Sequence, residues 1–343
     1  MKLAVGFIAY NESTSQYLPY FLSSLFQALS QTGAESRVWC IDNSDLKNND
    51  NEQFITANYH WIQYHFSGEN VGFAKAYNQM ITAAKKWGAD YFLMINPDTY
   101  LDPQSLRWLV DTLNSNNQFG AVAPRLLRWN FSRQELTDRV DSDGIAINTR
   151  HAFSDKHQGE KVSSLAPGKV FGASGAAALF NMRALIDIAF LDQFGQTEYL
   201  DEMFFMYKED IDLSYRLQLA GWPIWLEPRA IIYHDRRARA RGLKWWWIVL
   251  NRPFKSRQIK AWSFYGQNLL FAKYLSFPFS PQIKRRSRWY QFQLWVFALL
   301  FEPYLLGERR QLKRQKEIIN WHREAIKVKI PLKNIEKMMF DND

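Results

Sequence analysis

The chain has 343 residues, 47% of them apolar and 22% charged, with 43 Lys and Arg against 34 Asp and Glu. Such a chain buries a core and is not disordered, and its length fits one large domain or one domain with an appendage. A single cysteine, Cys40, excludes an internal disulfide framework and a cysteine-built zinc site, and fits a reducing compartment.

The apolar run Leu3–Ala9 predicts a buried strand rather than a signal peptide, because Tyr10-Asn11-Glu12 follows where small cleavage-site residues would have to lie. A helix is expected over about Tyr17 to Gln31, and strands over Arg37–Ile41 and Trp61–Phe66. A second helix runs from about Phe73 to Trp87, with Gly88 placed to stop it, and a strand follows at Tyr91–Ile95. Asp102 is placed to cap a further helix with Pro103 at its first position. Strand–helix alternation of this kind predicts a parallel α/β sheet, whose ligands lie beyond the carboxyl ends of the strands. Tyr10-Asn11-Glu12, Asp42-Asn43-Ser44 and Asn96-Pro97-Asp98 should therefore open on one edge. Neither a Gly-x-Gly-x-x-Gly fingerprint nor a phosphate loop ending in Gly-Lys-Ser/Thr is present. From about Gly120 to Ile147 the pattern reads as irregular strands and loops. Gly172-Ala173-Ser174-Gly175 implies either close backbone approach to a ligand or a tight turn before a buried strand.

The densest signal is acidic. Glu198, Asp201, Glu202, Glu209, Asp210 and Asp212 fall within fifteen positions, interleaved with aromatic residues. From Asp210 onward, Leu213, Leu217 and Ala220 recur at helical spacing, and Gly221 can close the helix. Acids at a helix start cap it and suit its dipole, but capping needs one or two, not six. Aromatics around a carboxyl raise its pKa, which suits a general base. A short apolar run then ends in Tyr233-His234. A histidine at a strand end is commonly a surface residue, but paired with Asp98 it offers a carboxylate and an imidazole to Mg²⁺ or Mn²⁺.

Taken in order, these pieces resemble the family 2 glycosyltransferases, inverting enzymes of the GT-A (nucleotide-diphospho-sugar transferase) fold, and among them bacterial rhamnosyltransferase-like members. The resemblance runs from residue 3 to about 236. It implies an α/β catalytic domain over 1–236, with about 1–100 as the nucleotide-binding half and 101–236 as the acceptor half, and a mainly helical, basic extension over 237–343. It implies that Ala9, Tyr10, Glu12, Asp42, Gly72, Phe73, Asn78, Asn96 and Asp98 bind the nucleotide-sugar donor, with Asp42 on the base. Asn96-Pro97-Asp98 stands where the family has Asp-x-Asp. Asp98 and His234 would hold a divalent cation, Mg²⁺ or Mn²⁺. Asp210 matches the catalytic base, with Glu209 as its rival. Gly172, Ala173, Ser174, Glu202, Glu209 and Arg216 would line the acceptor or sugar site. For Arg216 a salt bridge to Asp212, one helical turn back, is the alternative to contact with the diphosphate.

The charge is uneven. The last 109 residues hold 24 Lys and Arg against 8 Asp and Glu, and 7 of the 14 tryptophans. Arg236–Arg241, Lys244–Leu250 and Lys284–Tyr290 flank or precede short apolar stretches, of which Phe292–Phe301 is the longest and too short to span a bilayer. Basic and aromatic residues around short apolar runs suit a membrane interface. The alternative is a helical appendage packed on the catalytic body, with a homodimer through the tail as a further option. The function expected is transfer of a sugar, with L-rhamnose the leading candidate, from a nucleotide-diphosphate sugar to a lipid-linked or cell-surface glycan. The enzyme would be cytoplasmic and peripheral on the inner face of a bacterial membrane, without a nucleic-acid partner. A nucleotidyltransferase, or a nucleic-acid-binding protein acting through its tail, are the rival readings.

Overall fold

The computed structural model describes residues 1–192, 194–236 and 256–343. Strands β1 (Lys2–Ala9), β2 (Glu35–Asp42), β3 (Gln63–Phe66) and β4 (Tyr91–Ile95) pair in parallel. They alternate with α1 (Asn11–Ser15), α2 (Leu18–Ser30), α3 (Asp50–Asn58) and α4 (Phe73–Trp87). Helix α2 forms where expected: Leu18, Phe21, Leu22, Leu25 and Leu29 recur on one face and are buried. Gly88 adopts the left-handed conformation that ends α4. Helix α3 has no counterpart in the sequence reading. Asn49 caps it through Asn51 and Glu52, but its apolar face is too narrow to mark it.

β5 (Thr99–Leu101), α5 (Ser105–Ser115), β6 (Ala121–Asn130), β7 (Glu135–Ser142), β8 (Ile145–Ile147), β9 (Phe153–Asp155) and β10 (Gly168–Val170) follow. Then come β11 (Ala177–Asn181), α6 (Met182–Ile188), β12 (Phe190–Leu191), β13 (Thr197–Glu198), α7 (Glu209–Leu219) and β14 (Ile224–His234). The main sheet runs β10-β14-β6-β11-β4-β1-β2-β3, with β5 on β14 and β7 on β6. Three expectations change. The sheet is mixed, because β11 starts at the edge where β4 ends and runs back antiparallel to it. Helix α5 begins at Ser105, because Asp102 turns the chain first, accepting from the Gln104 amide at 3.0 Å. The 120–147 segment is regular: β6 is ten residues long and almost wholly buried, so it lacks the in–out alternation that marks a strand.

Helices α8 (Arg257–Tyr274), α9 (Pro281–Phe301), α10 (Gly307–Arg314), α11 (Lys316–Glu324) and α12 (Leu332–Phe340) complete the described chain. They pack on the body. Leu269 and Tyr274 of α8, Ile283 of α9, Ile319 of α11 and Met339 of α12 share one buried cluster with Phe171, Phe204, Ile211 and Tyr215. Burial of each such side chain contributes roughly 1.5–3 kcal/mol. The packed-appendage reading of the tail therefore holds for 256–343, while Arg237–Arg241 and Lys244–Leu250 lie outside the described residues.

Candidate active site

The loops after β1 and β2 are locked together at the carboxyl edge of the sheet. The Asn43 amide donates to Ala9 O at 2.9 Å, and the Asn11 amide to Ser44 Oγ at 2.7 Å. Tyr10 and Glu12 remain exposed at the mouth. Asp42 is already engaged by the protein itself. It is fully buried, and its oxygens accept from the Ser44 amide and hydroxyl, Asn49 Nδ2 and Tyr64 OH. A carboxylate has about four acceptor positions, and four donors occupy them. Burial and the Asp42 charge push the Tyr64 phenol far up, so it stays a donor. Asp42 thus orders the pocket floor and presents no unengaged oxygen to a base.

β5 runs antiparallel to the end of β14, pairing Thr99 with His234, and this brings the Asn96-Pro97-Asp98 loop to the histidine. Asp98 Oδ2 lies 3.5 Å from His234 Nε2. On the other side of the ring, His234 Nδ1 lies 2.9 Å from Asp141 Oδ2 of β7. Burial alone would lower the His234 pKa, but the charges and hydrogen bonds of Asp98 and Asp141 raise it to about 10. Two carboxylates thus demand a positive charge between them. A facing carboxylate and imidazole, the ring held from behind by a buried acid, form a donor set that fits Mg²⁺ or Mn²⁺.

Gly175 and Ala176 join this corner to the acidic motif. Asn96 N donates to Ala176 O at 2.8 Å, and Gly175 N donates to Asp210 Oδ2 at 3.1 Å. Asp210 is half-buried at the start of α7, and Ile211 N donates to its Oδ1 at 2.8 Å. Burial raises its pKa, against the lowering effect of the Gly175 amide and Lys208. Glu209 is more deeply placed. Its Oε2 is buried without a hydrogen-bond partner, and burial together with the Asp210 charge raises its pKa strongly. Glu209 is thus closed off from the site, and Asp210, half-buried, is the carboxylate open to it. Gly72 and Phe73 close the other wall. Gly72 has φ +83°, and a Cβ there would come within 2.8 Å of Phe205; the Phe73 amide donates to Phe205 O at 2.8 Å.

Other expected site residues serve the interior. Asn78 accepts from the Tyr199 and Leu200 amides and donates to Leu200 O and Glu202, bracing the acidic motif. Gly172 and Ala173 are buried against Ser214 of α7, so the close approach is to a helix; a Cβ on Gly172 would fall 2.7 Å from Ser214 Oγ. The Ser174 hydroxyl accepts from the Ala176 amide within the same turn, and Glu202 is exposed at the motif's outer end. Arg216 is a correction: only 2% exposed, it donates to Asp212, Ile188 O and Tyr199 O, so the salt-bridge alternative holds and no diphosphate can reach it. Sequence reasoning missed Asp141, Tyr64 and Arg236. Arg236 donates to Asp155 at 2.7 Å and to Asp141 at 3.4 Å. The only signal for Asp141 was the acids Asp138 and Asp143 beside it, inside a segment read as irregular, while Tyr64 lay within an expected strand and Arg236 within the basic stretch that opens the tail.

Residues 5–188 match the family model described as Glycosyl transferase family 2. Over 245 residues the chain is 25% identical to N-acetylglucosaminyl-diphospho-decaprenol L-rhamnosyltransferase of Mycobacterium tuberculosis, covering 67% of this chain and 75% of that protein. Among solved structures it resembles S. aureus TarS 1-349 in complex with UDP (TM-score 0.53, 12% identity, 99% of this chain and 90% of that one). It also resembles GalNAc-T7 with UDP, GalNAc and Mn²⁺ (TM-score 0.54, 10% identity, 88% of this chain and 58% of that one). A third is the mannosyltransferase PcManGT of Pyrobaculum calidifontis with GDP-Man and Mn²⁺ (TM-score 0.50, 14% identity, 98% and 83%). At these identities the likenesses establish a GT-A glycosyltransferase fold with a helical C-terminal region.

Proposed function

The chain belongs to glycosyl transferase family 2, and from that premise we propose that it is an inverting transferase moving L-rhamnose from dTDP-L-rhamnose to a lipid-linked glycan at the cytoplasmic face of a bacterial membrane. The M. tuberculosis relative's name supports the sugar and the lipid-linked acceptor. The observation that carries the reaction type is the junction at Gly175-Ala176, which ties Asp210 and the Asn96-Pro97-Asp98 loop to adjacent residues.

Asp210 is the base. Held by the Gly175 and Ile211 amides, its carboxylate takes the proton of the acceptor hydroxyl as that oxygen bonds to the anomeric carbon and the carbon–diphosphate bond breaks. One positioned base suffices for this single displacement. Glu209, buried behind it, is closed off from the acceptor. Asp98 and His234 would hold the divalent cation, which supplies charge to stabilise the leaving diphosphate. Tyr10 and Glu12 at the mouth, with Gly72 and Phe73 opposite, flank the donor, while Asp42 acts indirectly by ordering Tyr64 and the Ser44 loop.

The test has two parts. A thermal-shift screen of dTDP-, UDP- and GDP-sugars with Mn²⁺ identifies the donor; a preference for UDP- or GDP-sugars would overturn the rhamnose assignment. Asp210→Asn should then lower turnover by about a hundred- to ten-thousand-fold while the donor-induced shift persists. Because the folded pKa of Asp210 lies above its ordinary value, the wild-type rate should fall on the acid side earlier than an exposed aspartate would dictate. Normal turnover by Asp210→Asn would remove it as the base.

A further inference from the structure

Helix α9 turns one face inward and leaves the other open. Ile283, Ser287 and Ala298 are buried on one side. At helical spacing, Arg285, Arg288, Trp289, Phe292, Leu299 and Leu300 fall on the opposite side. That side is well exposed: Trp289 60%, Phe292 55%, Leu299 60%, Leu300 66%; Phe301, which at helical spacing returns to the side of Ile283, stands at the helix end and is 67% exposed as well. The stripe is graded. Its N-terminal half is basic, and an open cleft of about 590 Å³ there is lined by Lys284, Arg285, Arg288 and the rings of Phe279, Trp289 and Phe292. Its C-terminal end is apolar. The two ends lie about 24 Å apart at helical rise. Exposed Arg309, Arg310 and Lys313 of α10 follow the apolar end. The acid nearest that end, Glu302, is buried and paired with Lys260 at 2.9 Å.

We propose that this face docks the protein on an anionic bilayer, with Leu299, Leu300 and Phe301 entering the acyl boundary and Lys284, Arg285 and Arg288 holding lipid phosphates in the cleft. Exposed leucines and phenylalanine at a helix end lose water contact only in an apolar medium, and the flanking cations require that its rim be negative. Aromatic rings among arginines match the headgroup layer, where an amphipathic side chain keeps its apolar body dry and its polar tip wet. A second copy of the chain fits this face less well. Parallel pairing would set Arg285 and Arg288 against their own copies, and antiparallel pairing would bury them on the leucines. No described helix is long and apolar enough to cross a membrane, so the contact is interfacial. The proposal deepens the reading of a lipid-linked acceptor and rests on it for its purpose, since docking would hold the enzyme on the surface that carries such an acceptor.

The test is flotation of the full chain with vesicles of phosphatidylcholine, with and without phosphatidylglycerol, beside a sedimentation run and a donor thermal shift in solution. The wild type should float with the anionic vesicles only, and less in high salt. Leu299→Gln/Leu300→Gln/Phe301→Gln should weaken flotation at least about tenfold. Arg285→Gln/Arg288→Gln should weaken it about fivefold per cation removed. All five substituted side chains are exposed, so melting temperature and donor shift should be unchanged. Variants that float like the wild type would overturn the surface, and so would a change from dimer to monomer with flotation intact, which would make a second copy the occupant. A wild type that binds neither vesicle would overturn both the docking surface and the peripheral location; a retained donor shift would leave the transfer reaction standing.

Discussion

Asp141 decides which nitrogen of His234 faces Asp98. A carboxylate only accepts, so Nδ1, 2.9 Å from Asp141, carries a proton, and the ring is turned so that Nε2 faces Asp98 at 3.5 Å. Asp141 is itself 1% exposed; burial would raise its pKa, but the hydrogen bond and charge of His234, with Arg236, hold it below the ordinary value. In the proposed cation site an acid of this kind would orient the histidine and strengthen its basicity. Asp141→Asn should therefore weaken Mn²⁺ affinity by about 10–100-fold, read directly by Mn²⁺ electron paramagnetic resonance and by metal titration of the rate. An unchanged affinity would reduce Asp141 to a packing residue. The residue scale also shows what a single sequence discloses. Asp98 and His234 were legible because each follows an apolar run that had to be a strand. Asp141 was not, because β7 is exposed along its first half and buried at its end, with no alternation to reveal its register. Asp42 was legible in place but not in its partners, since nothing local announces that Asn49 and Tyr64 will donate to it.

At the scale of elements, the acidic motif divides between chemistry and clamping. Tyr207 and Lys208 both have positive φ, 70° and 77°, a conformation costly for residues with a Cβ, and they aim Glu209 and Asp210 into the start of α7. Helix α8 holds that turn from outside. Gly266 lets it approach, since a Cβ there would sit 3.1 Å from Tyr207 O and Lys208 Cγ. Seven residues on, Lys273, wholly buried, donates to Asp201 at 2.7 Å and to Asp212, while Tyr274 OH donates to Asp212 at 2.9 Å. His322 of α11 lies 3.2 Å from Asp201. Glu198, Asp201 and His322 lie close enough together to share an ion, and of the three Asp201 is already paired with the Lys273 ammonium. So Asp201 and Asp212, which the sequence placed in the acidic motif with no role beyond capping or a salt bridge to Arg216, anchor the C-terminal helices. The sequence could not disclose this, because one lysine among Phe271, Ala272 and Tyr274 carries no mark of its partners. Lys273→Met should destabilise the protein by about 3–5 kcal/mol, since it leaves buried carboxylates unpaired, and the loss should appear as a lower melting temperature. Adding Asp201→Asn should recover part of it. A Lys273→Met protein as stable as the wild type would mean that the helices are held by apolar packing alone.

Across the whole molecule, the separation of charge works as attachment. Residues 1–234 hold 19 Lys and Arg against 26 Asp and Glu, the reverse of the tail's excess. Where the two meet at the surface, Asp187 at the end of α6 accepts from Lys329 at 2.7 Å, Lys327 at 3.2 Å and Trp222 Nε1 at 2.8 Å. The Lys329 amide also donates to Leu219 O at 2.8 Å, so the linker before α12 is fastened to the body by charge and by backbone. Burial would raise the Asp187 pKa, but hydrogen bonds from Lys329, Trp222 and Lys327 hold it down to about 2. A depressed folded pKa contributes stability that is complete above the unfolded value of about 3.8 and is lost as pH falls through the folded one. Asp187→Asn should therefore melt below the wild type at neutral pH, and the gap should narrow below pH about 4 and close near pH 2. High salt should narrow it as well, because Lys327 and Lys329 are 47% and 53% exposed and their charges are screened. A gap that ignores both pH and salt would assign the attachment to the Trp222 hydrogen bond and the Lys329 backbone, leaving the charge asymmetry free to act on the membrane side alone.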